Sequence, residues 1–199
     1  MSDENLTPDD KLLRGLFREL FQTETSAHEH CHVEAERLGA STSPARAMQA
    51  VSEQAAQVLA ALPGLARERG LPPSEGGKVV GKMFSVLRDD AADLALSLEQ
   101  SYRGTMLGMR HGMDVVALLE KVAERRSDGG LVRWCQQWRA DRQPLMIAVE
   151  SQLSWFAYNA AEAMKPAKEG VIPAAARAVL GAVGKVETAL SGGDEKARG

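Results

Sequence analysis

Apolar residues recur along this chain every three to four positions and do not alternate over any strand-length run, which predicts helices and no strands. The first helix carries the stripe Leu13, Phe17, Leu20, Cys31, Ala35 and Leu38. Its start is marked by Thr7-Pro8-Asp9-Asp10, where Thr can cap, Pro suits the first helical position and carboxylates suit the positive end of the dipole; Gly39 marks its end. Ser43-Pro44 opens a second helix by the same logic. It carries the row Met48, Val51, Ala55 and Leu62, is expected to bend at Pro63-Gly64, and ends near Arg69 before Gly70-Leu71-Pro72-Pro73.

From Ser74-Glu75 a helical pattern persists to Arg126, which unbroken would measure about 80 Å, too long for such a bundle. Asp89-Asp90 offers a cap inside it. The expectation is therefore a short helix from Glu75 to about Arg88, then a long one to about Arg126, stopped by Asp128-Gly129-Gly130. A fourth helix is expected from Leu131 to about Lys165, with Pro144 removing one ladder bond. Beyond Pro166, the residues Ile172, Ala176, Val179, Val183, Val186 and Leu190 draw one apolar seam, so an amphipathic helix is expected there. Gly181 and Gly184 weaken it, so it should need a surface to dock on. The domain plan is a flexible stretch 1–6, a bundle 7–165, this helix within 166–190 and a disordered tail 191–199.

Composition reinforces this all-α, antiparallel four-helix plan and narrows the function. The chain is 199 residues long and 44% hydrophobic, enough to bury a substantial core. Charges of both signs are mixed and leave a net −3, so nothing draws in nucleic acid. No stretch has the length of a membrane span and the acidic start Met1-Ser2-Asp3-Glu4-Asn5 leads into no signal-type apolar run, which points to a cytoplasmic protein. Cys31 and Cys135 lie far apart and read as two buried thiols rather than a disulfide or a zinc knuckle.

The most suggestive chemistry lies in the first helix, where Glu24, His28 and His32 recur at spacings of four and so can share a face. Carboxylate and imidazole in that arrangement can hold a transition metal ion. The competing reading is structural: Glu24 and His28 interrupt the core stripe, and a buried polar group must be paired or hydrogen-bonded. Glu29, which with His32 forms a Glu-x-x-His, points away from the stripe toward solvent.

In its helices and in Glu24 and Glu99, the stretch from about Asp9 to Lys165 resembles the ferritin-like four-helix bundles. Their di-iron centres take one Glu from each of two helices and Glu-x-x-His from each of the other two. The resemblance implies that Glu24 and Glu99 match the lone glutamates, and that a long crossover joins the second and third helices. The remaining ligands are missing, for the second helix has no Glu-x-x-His and the fourth offers Arg139-Ala140-Asp141-Arg142. Arg142 falls in line with Leu131, Trp138, Leu145, Val149 and Phe156, placing a cation in the core stripe where it could pair with Glu24 or Glu99.

Gly104, Gly108 and Gly112 strip one face of the third helix of side chains, which suits either close approach of another helix or a local kink. With Ile172, Val179, Val183, Val186 and Leu190 they are the interface candidates. Met106, Met109 and Met113, extended by Met83, line a neighbouring face that reads as core filling or as an adaptable docking groove. Gly-x-Ser-x-Gly is absent, and no glycine-rich loop ends in the Lys-Ser or Lys-Thr of a phosphate-binding loop. The expectation is a non-catalytic bundle that binds a protein partner or forms a homo-oligomer, with no cofactor. The alternative is a metal-binding or oxidoreductase protein using Glu24, His28, His32, Glu99 and Asp141.

Overall fold

The computed structural model describes residues 7–71 and 96–167, and every structural statement refers to these. They form an all-α bundle of four long helices, α1 (Pro8–Leu38), α2 (Ser43–Arg67), α3 (Leu98–Arg125) and α4 (Gly129–Ser151), followed by short α5 (Leu153–Tyr158) and α6 (Ala160–Ala163). No described helix is long and apolar enough to cross a membrane. The expected short helix Glu75–Arg88, Met83, the seam Ile172–Leu190 and the two terminal stretches lie outside the described residues.

The ends of α1 follow its sequence. The Thr7 hydroxyl accepts from the Asp10 N–H, Pro8 stands in the first turn, and Gly39 stops the helix at a φ of 80°. The cap of α2 is Thr42, not Ser43: its hydroxyl accepts from the Ala45 N–H at 3.3 Å, which leaves Ser43 as the first helical residue. α2 runs on through Pro63 to Arg67.

Three expected boundaries are corrected. The third helix does not run unbroken from Asp89-Asp90, because Leu96 and Ser97 are not helical and α3 starts afresh in a capping box. There Gln100 N–H donates to Ser97 Oγ at 3.3 Å while Ser97 N–H donates to Gln100 Oε1 at 3.0 Å. Next, Asp128-Gly129-Gly130 does not simply end α3: Asp128 caps α4 by accepting from the Leu131 N–H at 2.9 Å, and the glycines form the first turn of α4. The reversal itself passes through Ser127, at φ 56°. Last, the fourth helix stops at Ser151 instead of Lys165. Ser151 and Asn159 turn their side chains back onto the carbonyls of Ala148 and Trp155, at 2.7 Å each, and such bonds compete with the helical ladder.

Helix α1 packs against α2 and α3, and α4 packs against the same two, so α1 faces α4 across one diagonal and α2 faces α3 across the other. Ion pairs fix the directions. Arg125 and Arg126 at the end of α3 meet Asp9 and Asp10 at the start of α1. Arg69, just past α2, meets Asp128 at the start of α4. Neighbouring helices are thus antiparallel, while the diagonal partners α2 and α3 run parallel. Leu71 and Leu96 consequently lie at opposite ends of the bundle, on the order of 40 Å apart for helices of this length.

The interior holds two apolar clusters. One gathers around Cys31, Met48, Tyr102 and Val149, the other around Leu13, Leu20, Leu119 and Leu131, and Met113 touches both. Of the methionines expected to fill core, Met106 and Met109 are buried. After α6 the chain folds back beside the start of α3 through an isolated bridge, with Leu98 N–H donating to Lys165 O and Ala167 N–H to Leu96 O, each at 2.9 Å.

Candidate functional site

Between the two apolar clusters the core is crossed by one charged layer. Glu24 projects from α1 and Arg142 from α4, so they meet across the diagonal. Arg142 Nη2 donates to Glu24 Oε2 at 2.7 Å, and both side chains are buried. Arg142 Nε donates to Gln54 Oε1 on α2. The guanidinium carbon lies 4.9 Å from the centre of the Trp138 ring, one turn earlier on α4, within cation–π range. Burial pushes the Glu24 carboxyl above its ordinary range, and the Arg142 charge and hydrogen bond oppose that shift.

His28 lies one turn from Glu24 but is turned toward α2. Its Nδ1 is 3.0 Å from Ser52 Oγ and 3.1 Å from Ser52 O, and Ser52 Oγ donates to the His28 carbonyl at 2.8 Å. His32 is exposed and lies 3.4 Å from Glu36. Glu29 is exposed as well. Glu99 reaches along its own helix to Arg103 at 2.7 Å, and exposed Asp141 accepts from Gln137 at 2.8 Å.

The five residues of the metal reading are therefore not brought together. Thr23 faces Gly112, so Glu99 sits about 20 Å up the bundle from the level of Glu24 at 1.5 Å per residue. Asp141 fails for a different reason, since being one residue from buried Arg142 turns it by about 100°. Among the described residues no group of three or more His, Cys, Asp or Glu could hold a metal.

Three further polar groupings were not singled out from the sequence. Glu34, fully buried, accepts from Ser101 Oγ and from Arg37 at 2.9 Å, tying the end of α1 to the start of α3. Its place was readable, for Leu13, Leu20, Ala27 and Glu34 follow a spacing of seven. Glu120 on α3 accepts from Gln136 at 3.1 Å and Arg139 at 2.8 Å on α4, and these bonds hold its carboxyl below the ordinary range. The third is the Arg69–Asp128 clamp.

The interface candidates divide. Gly112 faces Thr23 at the contact of α1 with α3, where a Cβ would make ordinary contact, so the packing there does not require a glycine. At Gly104 and Gly108 a Cβ would meet nothing within 4 Å, and both border an open groove.

Comparison with protein-family models, with curated proteins and with solved structures gave no match. The functional argument therefore rests on this geometry. Chemically, Arg142 Nε and Nη2 and Glu24 Oε2 are engaged by side-chain hydrogen bonds, and a guanidinium repels a metal cation.

Proposed function

We propose that the protein is a non-catalytic helical bundle that acts by binding another protein or itself, a ferritin-like scaffold without an intact di-iron site. The observation that carries this reading is Arg142, whose guanidinium stands in the core between Glu24 and Gln54, where a metal-bearing bundle would need a ligand. The parallel course of α2 and α3 supports the ferritin-like part, because such bundles carry the chain from end to end between their second and third helices. Exposed apolar side chains outside the groove of α1 and α3, such as Ile147, Tyr158 and Met164, support the binding part.

Metal analysis after aerobic purification from iron-supplemented medium tests the first half. The expected result is no stoichiometric iron and no ferroxidase activity in the unmodified protein, with any gain of iron confined to Arg142→Glu. Two irons per chain in the unmodified protein would overturn the proposal. Light scattering over a range of concentrations tests self-association: a mass that rises with concentration favours it, and a constant monomer mass restricts the function to binding other proteins.

A further inference from the structure

The groove between α1 and α3 has a volume of about 570 Å³. Its walls are largely carbon, with Ala27, Leu96, Gly104, Leu107, Gly108 and Met109 among its lining residues, and Leu107 is 70% exposed. Two glycines with open space over them, next to an uncovered leucine in a helix interior, form a strip shaped for a closely approaching helix.

We infer that this groove receives the C-terminal segment of the same chain, residues 172–186, laid along α3 with its apolar seam inward. The position of the chain end carries the argument. Ala167 N–H donates to the carbonyl of Leu96, and Leu96 itself lines the groove. Ala167, the last described residue, thus lies at the mouth of the groove, and only four residues, 168–171, separate it in sequence from Ile172.

Length and chemistry agree with this seating. From Ser101 to Asp114 the groove follows α3 for about 20 Å, and a helix from Ile172 to Val186 measures about 21 Å. A run parallel to α3 from the mouth sets Ala176 beside Gly104 and Val179 between Gly104 and Gly108. It also brings Lys185 to Asp114 on the rim, pairing opposite charges. A segment containing Gly181 and Gly184 is a poor helix alone, and the glycine floor supplies the close contact it lacks.

Paired cysteines in the full chain test the inference, because the native Cys31 and Cys135 are buried. Under mild oxidation, Gly108→Cys with Val179→Cys should form a bond within one chain, read as a loss of two hydrogens in intact mass. It should form at least about tenfold faster than the pair Ile147→Cys with Val179→Cys, which starts from the exposed face of α4. In a second measurement, the thiol of Gly108→Cys should be protected from a small alkylating reagent and regain reactivity when Val179→Asp and Val183→Asp are added, with helicity checked by circular dichroism. Equal rates for the two pairs, or no protection, would overturn the inference. Cross-linked dimers would assign the groove to a second copy, and a faster bond from Gly108→Cys to Leu87→Cys would assign it to the chain between α2 and α3; either result would also overturn it.

Discussion

Asp128 grips Arg69 with both carboxylate oxygens, Oδ2 to Nε at 2.6 Å and Oδ1 to Nη2 at 3.0 Å, while Oδ1 also caps α4. One side chain thereby closes the end of the bundle and starts a helix. Asp128→Ala should lower stability by about 1–2 kcal/mol from the cap, with the lost clamp adding to it. Asp128→Asn keeps a good cap and should cost less. The Arg69 hydrogen bonds hold the Asp128 carboxyl below its ordinary value of 3.8. Its folded form therefore binds fewer protons than the unfolded chain, and the stability it contributes is present above 3.8 and fades as pH falls through and below that value. Urea titrations between pH 7 and 3 should show a shallower acid loss in Asp128→Asn than in the unmodified protein; parallel curves would contradict this.

The Glu24–Arg142 pair should behave as a unit. Removing one partner leaves a charge buried alone, so Glu24→Leu and Arg142→Met should each cost about 3–5 kcal/mol, whereas the double variant should recover most of the loss. Half-buried Gln54 can turn to water when its partner goes. The pH dependence has the opposite sign to that of Asp128. Burial raises the Glu24 carboxyl above 4.5, so the folded state binds the extra proton and the contribution of Glu24 declines as pH rises from 4.5 toward the raised value. Glu24→Gln should remove that decline. Additive single-variant costs in urea unfolding would show that the two side chains do not depend on each other.

Both thiols should be silent in the folded protein. Burial, reinforced by nearby Glu120, pushes Cys135 up to about 12, and Cys31 is enclosed with its sulfur 3.8 Å from that of Met109. Iodoacetamide at pH 8 should label neither residue in buffer and both in concentrated urea, as read by peptide mass. Rapid labelling of either one in buffer would show that the core around it opens.

The sequence made α1 legible to the residue, because Thr7, Pro8, Asp9, Asp10 and Gly39 all speak for the same boundaries. The start of α3 was harder to read, since Asp89-Asp90 is a stronger-looking cap than Ser97 and the deciding partner, Gln100, lies inside the helix. Gly129-Gly130 misled in a similar way, as glycines that look like a stop but take helical positions behind the Asp128 cap. For the site, the stripe arithmetic placed Glu24 and Arg142 in the core. It could not reveal Gln54 or Ser52, which sit on a different helix and join the layer only through tertiary packing.

The diagonal position of the charged layer has a consequence for assembly of the chain. α1 with α2 and α3 with α4 are two hairpins closed by short turns, and Glu24 and Arg142, 118 positions apart, belong to different hairpins. Their bonds form only when the hairpins have come together in one alignment. A slip of a single helical turn, about 5.4 Å, would set each charge against an apolar cluster with no counterpart, a penalty of several kcal/mol. Leucines alone would tolerate such a slip, since a neighbouring leucine fills much the same space. The pair thus works like the key in a keyway, adding little grip but letting the two halves engage in one position only.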